Sequence, residues 1–122
     1  MNIDHYTQVN FKDKYFGPII SGLKVQTMRP ADERWDVQEE DTVVANFPDR
    51  PQKVLLQITE IGHKKVKDII NHDALLEGFF SAEEVKQELS EIYKELNFTD
   101  LARVFYYRFE VIGLIERVED IT

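Results

Sequence analysis

The segment Arg103–Ile112 carries the tightest constraint on the fold. Phe105, Tyr107, Phe109 and Val111 alternate with Arg108 and Glu110, a period of two that an extended chain satisfies and a helix does not. Such a strand has one aromatic face to bury, and a lone strand cannot bury it, so a sheet is required. Further extended segments are predicted at Lys24–Arg29, ended by Pro30, at Thr42–Phe47 and at Lys53–Ile61. Pro48-Asp49-Arg50-Pro51 supplies turn chemistry between the last two.

Helical periodicity occupies the stretches between. Phe11, Tyr15 and Ile19 fall on one face of a helix predicted over residues 9–21, bent at Gly17-Pro18 and stopped by Gly22. A short helix is expected at Val66–Ile70. A longer one begins at Ser81, with Glu84 completing a capping box and Val85, Leu89, Ile92 and Leu96 facing the core. Ala31–Glu40 reads as a charged connection holding the single Trp, Trp35. Strands scattered among helices in this way do not make a parallel α/β sheet. They predict an α+β domain: a mostly antiparallel β-barrel with two or three flanking helices, in one domain over residues 1–122.

Composition removes several classes of function. Without Cys there is neither a disulfide framework nor a thiolate zinc site. His5, His63 and His72 are scattered and lack paired-ligand spacing, so no metal is expected. Glycine-rich phosphate loops are absent, and no cofactor is expected. No apolar run is long enough for a membrane span, and residues 1–5 lack the character of a secretory signal; a soluble, cytoplasmic protein is the expectation. The net charge is −8, which disfavours duplex DNA and long polyanions as partners. The balance is uneven: residues 50–67 sum to +4 and residues 73–101 to −6. The Lys64-Lys65-Lys67 run reads as the solvated side of a turn, and the acids around the Ser81 helix as a solvated face.

One short stretch does not reduce to structural needs. In Gly22-Leu23-Lys24-Val25-Gln26-Thr27-Met28-Arg29 a helix-ending glycine is followed by an ammonium, a hydroxyl and a guanidinium. Strand alternation sets Val25, Thr27 and Arg29 on one face and Gln26 and Met28 on the other. Lys24, next to the flexible Gly22, can swing toward Thr27 and Arg29, gathering a site for a polar or anionic ligand. On the pattern alone, solvated strand ends are the commoner arrangement.

These residues resemble the GxKxxTxR signature of ASCH domains, small relatives of the PUA-like RNA-binding folds. They are most similar to the compact bacterial members that include acetylcytidine amidohydrolases. The resemblance extends from Phe11 and Tyr15, through Glu77-Gly78 ahead of the helix ending at Ile92-Tyr93, to the closing strand Val104–Ile112. It departs at Glu40-Asp41, where the family often has Gly-Asp, so a turn of different shape is expected there.

The resemblance implies a PUA-like barrel and a catalytic set of Lys24, Thr27 and Glu77, with Arg29, Gly22 and Tyr15 at the substrate. Those types suit amide hydrolysis: a hydroxyl nucleophile, a lysine base whose pKa is lowered by burial or by Arg29, and a carboxyl that passes a proton to the leaving nitrogen. Read without the resemblance, Glu77 is equally a loop carboxylate near the N-terminus of the following helix. Two principal functions follow. One is a hydrolase acting on the amide of an acylated cytidine-like nucleoside. The other is a non-catalytic module that binds a modified base, a nucleotide or a short RNA. A protein-interaction module using the acidic helix is a third, weaker alternative. Oligomeric state has no signature in the sequence.

Overall fold

Two thirteen-residue strands, β4 (Lys53–Lys65) and β5 (Arg103–Ile115), pair antiparallel to form the spine of the molecule. This is a computed structural model, and it describes residues 3–92 and 101–116. The remaining elements are β1 (Thr7–Asn10), α1 (Phe16–Ser21), β2 (Gln26–Pro30), β3 (Thr42–Asn46), α2 (Asn71–Glu77) and α3 (Ala82–Ile92). The five strands form one sheet in the order β1-β3-β4-β5-β2. Only the β1–β3 pair is parallel. The expected α+β class and mostly antiparallel sheet are both present.

Closure into a barrel is not. Among the described residues no ladder joins β1 to β2, and these two strands are the edges of an open sheet. β1 is four residues long, and the Arg29 side chain crosses toward it, Nη2 donating to the Asn10 carbonyl at 3.0 Å. A side chain and a cleft thus occupy the place a closing ladder would take.

The helix expected over residues 9–21 is three pieces. Residues 7–10 pair with β3, Asp13–Tyr15 make a 3₁₀ turn, and only Phe16–Ser21 is α-helical. Pro18 sits in the first turn of α1, where its missing N–H costs no hydrogen bond. The apolar spacing did mark burial, since Phe11 and Ile19 both enter the core, but pairing with β3 overrode the helical period. Gly22 ends α1 in the left-handed conformation, φ 82°, and the Leu23 and Lys24 N–H groups both return to the Pro18 carbonyl.

The short helix expected at Val66–Ile70 is a 3₁₀ turn over Val66–Asp68, and α2 follows where no helix is expected. Asp73 starts it by accepting the Ile70 N–H at 3.0 Å, and Gly78 ends it at φ 88°. The same Asp73 holds Lys64 at 2.7 Å, so that lysine belongs to an ion pair instead of a free solvated turn. α3 begins as expected: Ser81 Oγ accepts the Glu84 N–H, and Val85 and Leu89 are buried. Ile92 is at the surface margin, and Leu96 lies outside the described residues.

Two clusters form the main core. Strands β1, β3, β4 and β5 bury Val9, Val43, Leu56, Ile58, Tyr107 and Phe109 together with Phe11 and Ile19. On the other side, α2 and α3 cover Met28, Val66, Ile69 and Val104 through Ala74, Val85 and Leu89. Tyr107 and Phe109 therefore point inward as the alternation predicts, whereas Val111, at the irregularity in the pairing of β5 with β4, is 40% exposed.

The Glu40-Asp41 turn holds a strained residue. Glu40 adopts φ 77°, the conformation a glycine would take. Two backbone bonds to Ile58 enforce it, from Glu40 N–H at 2.7 Å and to the Asp41 carbonyl at 2.8 Å. The turn therefore holds a non-glycine residue in the left-handed region and carries the strain.

Candidate functional site

A cleft of about 380 Å³ opens between the two core clusters, at the gap between β1 and β2. Its position follows from the backbone. The Val25 N–H donates to the Leu76 carbonyl at 2.8 Å, tying the end of α2 to the entry of β2. Gly78 packs against Lys24: a Cβ there would lie 3.4 Å from the lysine Cβ, an ordinary contact. Lys24 is thereby held against Glu77, the last residue of α2 and not a loop carboxylate ahead of α3.

Lys24 Nζ lies 3.3 Å from Glu77 Oε1 and 3.3 Å from the Glu77 carbonyl oxygen. The two side chains are 3% and 5% exposed. Burial pushes the Lys24 ammonium pKa down, against the attraction of Glu77. It pushes the Glu77 carboxyl up, against the attraction of Lys24. Desolvation thus works against both charged forms, and the attraction between the two groups works for them. Arg29 adds a smaller downward push on Lys24, so desolvation leads and the neighbouring cation is secondary. Glu77 Oε2 is buried without a hydrogen-bond partner. Gln26, fully buried, accepts Arg108 Nε at 2.9 Å through its oxygen. Its amide nitrogen favours the ionised forms of Asp73 and Glu77, yet it makes no hydrogen bond of regular geometry.

Thr27, Arg29 and Tyr15 border the same cleft. Thr27 is buried, as is Lys24. The Arg29 guanidinium lies 5.1 Å from the ring centres of both Phe11 and Trp35, and its Nε is buried without a partner. The Tyr15 ring covers Lys24 at 4.8 Å, while its hydroxyl donates to Glu88 Oε1 at 2.7 Å. Burial, followed by that bond to Glu88, raises the Tyr15 pKa far above its ordinary value. Its phenol stays protonated. Gly22 is not among the residues bordering the cleft: it caps α1 and borders a separate concavity with Ile20 and Val111.

Sequence reasoning missed Glu88. It was grouped with the solvated acids of the helix, yet it borders the cleft and pairs with Lys14 at 2.7 Å and Lys12 at 3.7 Å. Burial acts to raise its pKa, but the bonds from Lys14 and Tyr15 outweigh it and hold the carboxyl below the usual range. The available signal was its place beside Leu89 and one turn from Val85, flanking the apolar stripe. Phe47 and Pro48 form another wall, anchored where Arg50 grips Asp13 with two hydrogen bonds of 3.1 and 3.0 Å. Among the described residues no group of three or more potential metal-ligating side chains gathers, and no helix is long and apolar enough to cross a membrane.

No family model matches the sequence, and no curated protein does either. Solved structures do. A protein of Enterococcus faecalis V583 assigned to the family DUF984 aligns with a TM-score of 0.73 at 18% identity, over 84% of this chain and 69% of its own. The ASCH domain of Lactobacillus crispatus JV V101 aligns with a TM-score of 0.68 at 16% identity, over 87% of this chain and 79% of its own. A ZmASCH mutant protein from Zymomonas mobilis gives 0.65 at 12% identity, over 95% of this chain and 77% of its own. With its open, mostly antiparallel sheet and its cleft between the edge strands, the chain has the ASCH-domain fold.

Proposed function

We propose that the cleft binds an acylated aminopyrimidine nucleoside and hydrolyses its amide. The observation that carries this reading is the buried Lys24–Glu77 pair beside Thr27, in a cavity of about 380 Å³. That volume is at the small end of the roughly 300–1,000 Å³ range of small-molecule pockets. It suits one base and its sugar, not a strand. The net charge of −8 points the same way, toward a weakly charged ligand.

The groups present can balance the reaction. Thr27 Oγ attacks the acyl carbon as the Lys24 amine takes its proton. Glu77, held toward its protonated form by burial, gives a proton to the leaving nitrogen as the C–N bond breaks. Water then adds to the Thr27 ester, the acyl group departs as a carboxylate, and Thr27 recovers its proton. Arg29, resting against the edge-to-face pair of Phe11 and Trp35, is left to orient the carbonyl or another polar group.

A non-catalytic module for a modified base or short RNA is favoured by one feature, the aromatic walls of the cleft: Phe11, Tyr15, Phe47 and Phe79 offer stacking surfaces for a base. Turnover separates the two readings. Purified protein incubated with N4-acetylcytidine should release cytidine and acetate, and Lys24→Arg should not. Binding without turnover would leave the module reading.

A further inference from the structure

Three consecutive residues of one strand, Thr27, Met28 and Arg29, border the cleft. Side chains of adjacent strand residues point to opposite faces, so a cavity that meets all three lies at the strand's edge. The neighbours agree. Phe11 and Phe47 border the cleft from the first core, and Met28, Val85 and Leu89 from the second. The cleft therefore wraps the edge of β2 that carries no ladder among the described residues.

The phase of the ladder identifies which main-chain groups face that edge. The Phe109 N–H donates to the Val25 carbonyl at 3.0 Å. Gln26 stands opposite Arg108, Thr27 opposite Tyr107, Met28 opposite Tyr106 and Arg29 opposite Phe105. In an antiparallel pair hydrogen-bonded positions alternate with unbonded ones, so Thr27 and Arg29 continue the bonded phase set at Val25. Met28 falls between them, with its N–H and C=O turned away from β5. Pro30, the next residue of that phase, has no N–H to offer, and Gln26 does not border the cleft.

We infer that the main-chain N–H and C=O of Met28 form the recognition edge for the ligand's ring. The N–H donates to a ring nitrogen, and the C=O accepts from the exocyclic N–H beside it. The matching class is a planar heterocycle with a ring acceptor next to an exocyclic N–H, as in cytosine and its N4-acyl derivatives. This inference rests on the nucleoside reading of the cleft but not on catalysis. Leaving a desolvated N–H unpaired is costly, so a ring without that acceptor is discriminated against.

The test compares cytidine with 3-deazacytidine, in which a C–H replaces the ring acceptor, by calorimetric titration. The wild-type protein should bind 3-deazacytidine at least about tenfold more weakly, the loss expected when one partner of a hydrogen bond is removed. In Met28→Pro, which deletes the outward N–H and spares the ladder, the two affinities should converge. Equal affinities in the wild-type protein, no cytidine binding at all, or a folded Met28→Pro that keeps the preference would each overturn the inference. If Met28→Pro does not fold, the wild-type comparison still decides. A preserved preference without hydrolysis of N4-acetylcytidine removes only the catalytic reading; hydrolysis without the preference removes only this one.

Discussion

Lys24 and Glu77 form an ion pair with almost no access to water: Nζ stands 3.3 Å from Oε1, and each side chain is at most 5% exposed. A pair so placed has given up two hydration shells, and its attraction has to offset that loss. Removing one member leaves the other uncompensated.

Lys24→Met should therefore destabilise the protein by about 3–5 kcal/mol at neutral pH, the usual cost of a buried charge stripped of its partner. The loss should depend on pH. The folded-state pKa of Glu77 lies above its reference of 4.5 even with Lys24 present. Without Lys24 it rises further, so the folded state binds a proton that the unfolded state releases. Stability relative to wild type is then highest below pH 4.5 and falls as pH rises through the folded-state pKa. Urea midpoints of variant and wild type across pH 4.5 to 8 check the sign; a difference constant with pH would exclude Glu77 as the stranded charge.

Thr27→Val keeps the shape of a buried side chain and removes its hydroxyl. Hydrolysis should drop by at least about 10³-fold, with Lys24→Arg equally inactive because a guanidinium does not act as a base at working pH. The double variant should be no worse than either single one, since nucleophile and base act as a unit. Initial rates decide it, and an active Lys24→Arg enzyme discards Lys24 as the base.

Tyr15→Phe deletes the 2.7 Å hydrogen bond to Glu88 while keeping the ring over Lys24. A loss of about 1 kcal/mol is expected. Because the phenol is held protonated by its surroundings, the alkaline limb of the rate profile should be the same in variant and wild type. A shifted limb would mean that Tyr15 itself exchanges a proton during turnover.

Glu40→Gly should stabilise the protein by about 0.5–1 kcal/mol, relief of left-handed strain less the extra entropy of an unfolded glycine. At this chain length that is a rise of about 2–4 °C in Tm. Glu40→Ala retains the strain and should bring no such gain. Calorimetric scans of the two variants make the comparison.

Local chemistry was enough to announce part of this architecture. The period of two in Phe105, Tyr107 and Phe109, the Ser81–Glu84 cap and the stop at Gly22 are decided within a few residues, and each is found in place. The grouping of Lys24, Thr27 and Arg29 at the cleft was legible only in part: alternation sets Thr27 and Arg29 on one face and the glycine lets Lys24 reach them, but the pattern alone fits solvated strand ends as well. Where residues 7–10 go was not legible, since a strand parallel to β3 depends on a partner more than thirty residues away. Nor was the depth of Lys24. An isolated lysine reads as solvated, and only the bond from Val25 to Leu76, with Gly78 packed against Lys24, draws Glu77 near enough for both charges to be buried. Glu88 remained hidden for the same reason: its helical face was readable, but not the Tyr15 hydroxyl and the two lysines that meet it across the cleft. Sequence by itself determined which residues could carry the chemistry and that β2, β3, β4 and β5 would be extended. Tertiary structure decided which charges lose their water, because desolvation is a property of everything packed around a group and not of its neighbours along the chain.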